Sequence, residues 1–211
     1  MSSTPTIFPA NRLAPLRGIR CRELLRLHQP QNAQHLVQFY EDDSFIIDTV
    51  SFLAAQTLVS GDSSVIVATE PRLNRIGERI ATCGLNLNVL QTLGRYVAVE
   101  ATEALAQFMI GAQPDEKKFD ELIGGILRGA ESNSEHGFVF VFGEMVELLC
   151  GAKKPAAAVH LEKFWNALAT RNHFSLYCAY SLSSLGDVPD ADTLMQICAE
   201  HSLTIPTETP L

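Results

Sequence analysis

The sequence predicts an α/β domain of three layers, with a mainly parallel central sheet flanked by helices. From residue 35 onward, short apolar runs alternate with helical patterns in the order β-α-β-α-β-α-α-β-α-α-β-α. This alternation is typical of parallel sheets. The run Gly137–Phe142 (GFVFVF) is apolar nearly throughout, as expected for a central strand that is covered on both faces.

The first strand–helix–strand unit spans 35–70. His35–Tyr40 is a short apolar run that predicts a strand, Phe45–Val59 has the apolar content of a buried helix, and Ser63–Ala68 is rich in β-branched residues. Such units form parallel sheets with right-handed crossovers. Three residues of the first turn are suited to cap the helix: Asp42, Asp43 and Ser44.

The remaining elements follow in order along the chain. Further helices are predicted at Arg72–Cys83, Ala101–Ile110, Pro114 to about Leu127, Met145–Cys150, Pro155–Arg171 and Asp190–His201. Extended segments are predicted at Val89–Leu90, Arg95–Val99, Gly137–Phe142 and His173–Tyr180.

The turn Tyr40–Ser44 follows the first strand, at the edge where parallel sheets bind ligands. A phosphate-binding loop at this position needs glycines and a lysine. The turn contains neither, and it carries three carboxylates instead. Carboxylates satisfy the helix N-terminus themselves and repel phosphate. The sequence therefore predicts the core of a nucleotide-binding fold without a nucleotide site.

The formal charge of −8 is unevenly distributed. Residues 1–34 carry a net charge of +4, which leaves −12 for the remainder. We expect 1–34 to be a flexible basic arm and 35–208 to be the folded domain. An acidic domain is poorly suited to bind nucleic acid directly, because that affinity comes largely from phosphate neutralisation.

The five cysteines are scattered, without the spacing of a zinc motif. The histidines show no ligand pair at i, i+4 either, so the sequence predicts no metal site and no cofactor. No secretory signal and no membrane-spanning run is apparent. A soluble, cytoplasmic protein is the expectation.

Five residues are candidates to line a ligand site at the carboxyl ends of the strands. Glu144 follows the strand Gly137–Phe142 and has a glycine beside it, and Glu41 follows the first strand. Tyr40 and Tyr180 end strands, and Trp165 lies on an apolar helix face. Other roles remain open: helix capping for Glu144, a solvated turn for Glu41 and a core position for Trp165.

Several stretches together resemble the MEDS domain, a methanogen/methylotroph sensory domain named after a dichloromethane-responsive repressor. They are HLVQFYEDDSFIIDTVSFLAAQTLVSGDSSVIVAT, GRYVAVEATEALAQFM, FVFGEMVELL, LEKFWNALATRNHFSLYCAYSLSSL, ICAEHS and IPTE. The resemblance covers about 35–208. It implies a RecA/KaiC-like fold without a phosphate-binding loop and a role in sensing small hydrocarbon derivatives. Relatives are usually fused to a histidine kinase or a DNA-binding domain, and neither is apparent in this sequence.

We therefore expect a non-catalytic sensory module that binds a small ligand and acts through a signalling partner, such as a histidine kinase or a transcription regulator. A homo-oligomer is a further possibility. The alternative is a degenerate NTPase fold that serves as a docking module for a histidine kinase or an anti-sigma system. A third hypothesis is an enzyme or nucleotide binder that uses Glu144 with Mg²⁺.

Overall fold

The computed structural model describes residues 34–183 and 191–205. The predicted basic arm lies outside the described residues, apart from Gln34. Within the described segments the chain forms a parallel sheet with helices on both faces, which confirms the predicted three-layer α/β class.

Six parallel strands form the sheet, in the order β3-β2-β6-β7-β1-β8. Two further short strands, β4 and β5, pair antiparallel. In chain order the strands are β1 (His35–Tyr40), β2 (Ser63–Ala68), β3 (Tyr96–Glu100), β4 (Met109–Ile110), β5 (Gln113–Pro114), β6 (Val139–Gly143), β7 (Phe174–Ser181) and β8 (Leu203–Ile205).

Helices connect these strands on the two faces of the sheet. They are α1 (Asp43–Val59), α2 (Glu70–Thr82), α3 (Leu87–Thr92), α4 (Ala101–Phe108), α5 (Glu116–Phe119), a π-helical turn (Asp120–Gly124), α6 (Gly125–Ser132), α7 (Met145–Gly151), α8 (Pro155–Ala169) and α9 (Ala191–Ala199). Asp42 caps α1, because its Oδ1 accepts a hydrogen bond from the Ser44 N–H at 2.8 Å. The acidic turn thus satisfies the helix N-terminus.

The hydrophobic core consists of one layer on each face. Residues of α1, α2 and α3 pack against Leu36, Ile66 and Tyr177, whereas α4 to α9 cover Val37 and Cys178. Successive strand residues point to opposite faces. Because the central strands are buried on both sides, they read as apolar runs in the sequence rather than as alternating patterns.

Three local predictions were incorrect. Met109 and Ile110, predicted as the end of a helix, form β4, which pairs with β5. Val89 and Leu90, predicted as extended, lie inside α3, which begins after the Asn86 cap. Two apolar residues are too few to show the period of a helix or a strand, so the Asn86 cap is the local feature that indicates this helix. No strand was predicted after α9, but β8 lies there and pairs with β1, with Leu36 opposite Leu203. That edge strand is specified by its partner strand rather than by its own residues.

Candidate functional site

The carboxyl ends of β1, β2 and β6 hold a cluster of five polar side chains, here called the carboxyl-edge cluster: Tyr40, Asp43, Arg72, Glu144 and Glu147. Arg72, in the first turn of α2, is at its centre. Its Nη1 lies 2.9 Å from Glu144 Oε1 and 3.1 Å from Glu147 Oε2. Its Nη2 donates to the Tyr40 hydroxyl at 2.7 Å and to Asp43 Oδ1 at 2.6 Å.

Glu144 connects the end of β6 to the start of α2. Its Oε2 accepts from the Thr69 backbone N–H at 2.6 Å and from the Thr69 hydroxyl at 3.1 Å. It occupies the position before α7, but its side chain makes no capping bond to that helix. The alternative role of Glu144 as a helix cap is therefore wrong.

Burial and charge shift the pKa values of this cluster. Burial alone would lower the pKa of Arg72, but Glu144 and Glu147 outweigh it and raise that pKa above its ordinary value. Burial raises the pKa of Glu144 despite the opposing effect of Arg72. Burial, followed by the charge of Glu147, raises the pKa of Tyr40. Arg72 and Tyr40 thus keep their protons at any ordinary pH.

These pairings limit what the carboxyl-edge cluster can bind. The guanidinium nitrogens of Arg72 already contact carboxylates and a hydroxyl, and the ionised cluster has one positive and three negative groups. A phosphate would meet net negative charge. A cation at Glu144 would have to displace Arg72.

Of the five residues predicted to bind a ligand, only two come together here. Tyr40 and Glu144 share Arg72 as a partner, whereas Glu41 is exposed in the turn after β1. Tyr180 and Trp165 belong to the core layer on the opposite face of the sheet. Trp165 packs edge-on against Phe119, with ring centroids 5.1 Å apart.

A second polar cluster lies on that opposite face, beneath α8, and is here called the four-ligand cluster: His35, Glu162, Cys178 and His201. His35 begins β1, Glu162 lies in α8, Cys178 is paired with Val37 across β7 and β1, and His201 follows α9. The potential ligand atoms of all four residues lie within 4.8 Å of one another.

Several contacts in the four-ligand cluster are short. His35 Nε2 lies 3.2 Å from Glu162 Oε2, and His201 Nε2 lies 3.4 Å from Glu162 Oε1. Cys178 Sγ lies 3.6 Å from both His35 Nε2 and Glu162 Oε2. The Tyr180 hydroxyl donates to Glu162 Oε1 at 2.6 Å. The side chains of Glu162 and His201 are both 0% exposed.

Neighbouring groups determine how the two imidazoles are protonated. His201 Nδ1 lies 2.6 Å from the carbonyl oxygen of Ile197, which can only accept, so Nδ1 carries a proton. His35 Nδ1 lies 2.8 Å from Asn166 Oδ1. The Asn166 amide nitrogen donates to the carbonyl and carboxylate oxygens of Glu200, both at 2.9 Å, which fixes Oδ1 as an acceptor. In their neutral forms both rings therefore direct an Nε2 lone pair toward Glu162.

Burial and the charges of neighbouring groups shift several pKa values in and beside the four-ligand cluster. Burial on its own raises the pKa of Glu162, but His201 and His35 outweigh it and lower that pKa below its ordinary value. Burial lowers the pKa of His201, and the Glu162 carboxylate more than reverses this. Burial, together with Glu162, raises the pKa values of Cys178 and Tyr180 well above their ordinary values. The Glu162 carboxylate thus raises the pKa values of His201, Cys178 and Tyr180.

A cavity of about 400 Å³ lies beside the four-ligand cluster, at the amino ends of β1 and β7. Its walls include Gln34, His35, Trp165, Asn166, Ala169, Phe174, Leu176, Ala199, Glu200, His201 and Ser202. Apart from His201, whose Nε2 lies 3.4 Å from Glu162, two wall residues carry a buried polar atom with no hydrogen-bond partner among the described residues: Trp165 Nε1, a donor, and Gln34 Oε1, an acceptor.

The sequence did not reveal the four-ligand cluster, because its members come from four distant segments. A search for histidine pairs one helical turn apart does not detect such an arrangement. A partial signal was available: alternation along β1 places His35 on the same face as Val37. Connecting it to Cys178 and His201 requires the strand order and the position of α9.

Two further observations concern the class of protein. Among residues 34–183 and 191–205, no helix combines the length and apolar character needed to cross a bilayer. None of the curated proteins matches the chain. The family described as MEthanogen/methylotroph, DcmR Sensory domain matches residues 34–202. Since this match covers most of the 211 residues, the chain belongs to the MEDS family of sensory domains.

Proposed function

We propose that the chain is a non-catalytic sensory module that binds a small, weakly polar ligand in the cavity beside Trp165. The observation that carries this proposal is the pair of unpartnered polar atoms in the walls of that cavity, Trp165 Nε1 and Gln34 Oε1. A buried donor or acceptor without a partner costs free energy. A ligand that bears one polar group would satisfy one or both atoms.

The walls suit a hydrocarbon derivative. Trp165, Phe174 and Leu176 give apolar contact area, and other wall residues, such as Gln34, Asn166 and Ser202, give polar groups that can orient a ligand. Ligand sites typically combine apolar contacts with placed polar groups, in volumes of roughly 300–1,000 Å³. The cavity of about 400 Å³ fits a molecule of a few carbon atoms. The carboxyl ends of the strands, where the sequence predicts the ligand, hold side chains that are already paired.

Signal transmission follows from which segment closes the cavity. Ala199 to Ser202 form one wall, between α9 and the edge strand β8. A ligand that contacts this wall favours one position of α9 and β8, and a ligand shifts an equilibrium only through such differential contacts. The surface of α9, where Met195 is 69% exposed, then offers a signalling protein two alternative arrangements. A histidine kinase or a transcription regulator is the proposed partner class.

The test uses thermal unfolding of the 211-residue chain with short-chain alcohols, ketones and haloalkanes as probes. Ala169 is exposed at the mouth of the cavity, so Ala169→Phe obstructs entry without disturbing the core. Ala156→Phe, on the exposed surface of the same helix, is the matched control. We expect at least one probe to raise the Tm of wild type and the control in a saturable manner, but not that of Ala169→Phe. Equal responses in all three proteins, or none, would contradict the cavity site.

A docking module without a small ligand is the second candidate. The observation that favours it is the carboxyl-edge cluster, which fills with paired side chains the edge where folds of this class bind ligands. This function predicts a partner whose affinity is unchanged by every probe above. Titration of a captured partner with and without the stabilising probe separates the two candidates.

A further inference from the structure

We propose that His35, Glu162, Cys178 and His201 bind a divalent transition-metal ion, of which Zn²⁺ fits best. The proposal does not depend on the ligand cavity, since the four side chains meet whether or not a small molecule binds beside them. Imidazole, thiolate and carboxylate are the three ligand types that zinc takes in proteins. A set with one oxygen ligand does not suit Ca²⁺ or Mg²⁺, which prefer oxygen cages.

The spacing approaches that of a tetrahedral site. Zinc–ligand bonds of roughly 2.0–2.3 Å place neighbouring ligand atoms about 3.3–3.6 Å apart. His35 Nε2, Cys178 Sγ and Glu162 Oε2 lie 3.2–3.6 Å from one another, and His201 Nε2 lies 3.4 Å from the other oxygen of Glu162. All four ligand atoms lie within 4.8 Å of one another, so side-chain adjustments would bring them around an ion.

The imidazoles are oriented as metal ligands are. Histidines that bind metal donate their other ring N–H to a carbonyl or amide oxygen, which fixes the tautomer. His201 does so to the carbonyl oxygen of Ile197, and His35 does so to Asn166. His201 Nε2 is buried and faces Glu162 Oε1 at 3.4 Å. The Tyr180 hydroxyl orients the carboxylate of Glu162 in the same way.

The charges also balance. A divalent ion with one carboxylate, one thiolate and two neutral imidazoles has a net charge of zero. That is the favourable state for a site in which Glu162 and Cys178 are 0% exposed. In the described part of the chain, the basic side chains found within salt-bridge distance of Glu162 are those of the two histidines, and no lysine or arginine is among them.

Four protein ligands leave no open position, which is characteristic of structural rather than catalytic zinc. The ion would join β1, α8, β7 and the turn between α9 and β8. Because His201 lies two residues before the edge strand β8, the metal would fix the α9–β8 segment to the body of the domain.

The first experiment measures metal in the untagged 211-residue chain. Elemental analysis of the purified protein should find zinc or a related ion in a ratio near one to one. After chelation, titration with Co²⁺ should give visible bands of tetrahedral intensity and a thiolate-to-cobalt charge-transfer band, both displaced by Zn²⁺. Co²⁺ is the probe because, unlike Zn²⁺, it reports geometry and sulfur ligation directly.

Matched variants assign the ligands. Cys178→Ser should abolish the charge-transfer band, whereas Cys150→Ser, a buried cysteine on the same face but outside the cluster, should keep it. His201→Ala should weaken binding by more than the roughly 10- to 100-fold expected for an outer partner such as Asn166. His160→Ala, an exposed histidine of α8, should bind normally.

Two results would overturn the proposal. One is folded wild-type protein that binds neither Co²⁺ nor Zn²⁺ stoichiometrically. The other is a charge-transfer band that persists in Cys178→Ser. If a variant does not fold, wild type still decides, because one equivalent of Zn²⁺ must raise the Tm of the chelated protein. An unchanged Tm would also reject the site.

Discussion

The two buried clusters of this domain differ in the source of their positive charge. In the carboxyl-edge cluster the chain supplies it, because Arg72 lies between the carboxylates of Glu144 and Glu147. In the four-ligand cluster, Glu162 is buried more completely, and the groups that face it are two imidazoles, a thiol and a tyrosine hydroxyl.

This difference shows what a buried glutamate requires. Ionised carboxylates are retained in protein interiors only when a cation or strong donors compensate them. In the carboxyl-edge cluster, the permanent positive charge of Arg72 compensates the carboxylates, so that cluster needs no solute. In the four-ligand cluster, the compensation of Glu162 depends on a bound proton or metal ion. We therefore expect the first cluster to respond to mutation alone and the second to respond to metal.

The largest effect should come from removing the internal cation. Arg72→Met leaves Glu144 and Glu147 buried without their partner, and breaking a buried pair costs about 3–5 kcal/mol. Arg79→Met, on the same helix, breaks a pair in which the arginine is 57% exposed, and exposed pairs contribute about 0–1 kcal/mol. Urea unfolding of both variants measures the difference. Equal losses would show that Arg72 acts only as a surface residue.

Metal removal should have the next largest effect on stability, and this effect should depend on the four-ligand cluster alone. A ligand bound only by the folded state, at 100 times its dissociation constant, adds about 2.7 kcal/mol of stability. Chelation should therefore lower the unfolding free energy of wild type and of Arg79→Met by similar amounts. Chelation should leave Cys178→Ser unchanged, since that variant already lacks a ligand. A loss of equal size in Cys178→Ser would place the metal elsewhere.

Tyr40 and Tyr180, one in each cluster region, permit a closer comparison, because each donates its hydroxyl to a glutamate. Tyr40 donates to Glu147 Oε1 at 2.8 Å, and Tyr180 donates to Glu162 Oε1 at 2.6 Å. Tyr40→Phe should cost about 1.5–3 kcal/mol whether or not metal is present, as expected for a hydrogen bond to a charged group.

Tyr180→Phe should act mainly on metal affinity, with a loss of roughly 10- to 100-fold, as is typical of outer partners of metal ligands. Cobalt titration and urea unfolding of both variants distinguish the two effects. If Tyr40→Phe weakened cobalt binding as much as Tyr180→Phe, the two clusters would not be independent.

The layers of the fold could be predicted because buried strands and capped helices show patterns among neighbouring residues of the sequence. The apolar runs of β1, β2, β6 and β7 and the acidic cap of α1 are each encoded within a few neighbouring residues. The edge strand β8 shows no such pattern, since its three residues form a strand only by pairing with β1.

The candidate sites depend on contacts that no local pattern encodes. Tyr40 and Glu144 were expected near one another, but Arg72, which joins them, lies in a helix that was predicted without a role for this residue. His201 and His35 are 166 positions apart in the chain and have ring centroids 4.0 Å apart. Only the strand order, with β7 and β8 on either side of β1, brings them together.

The smallest predicted effect is a pH dependence within the carboxyl-edge cluster. Burial raises the pKa of Glu144 above its ordinary value, although Arg72 and Thr69 oppose the shift. The folded state therefore binds the proton more tightly than the unfolded state does. The resulting stability is fully present below the unfolded pKa of about 4.3 and is lost as pH rises through the folded pKa.

Glutamine cannot ionise, so Glu144→Gln should gain unfolding free energy relative to wild type as pH rises from about 4 to about 8. Urea unfolding across this range measures the trend, and Glu78→Gln, an exposed residue of the same helix as Arg72, is the control. A trend of opposite sign would mean that attraction to Arg72 outweighs burial. The internal cation would then stabilise the ionised carboxylate outright, and the two clusters would differ only in whether that cation is built into the chain.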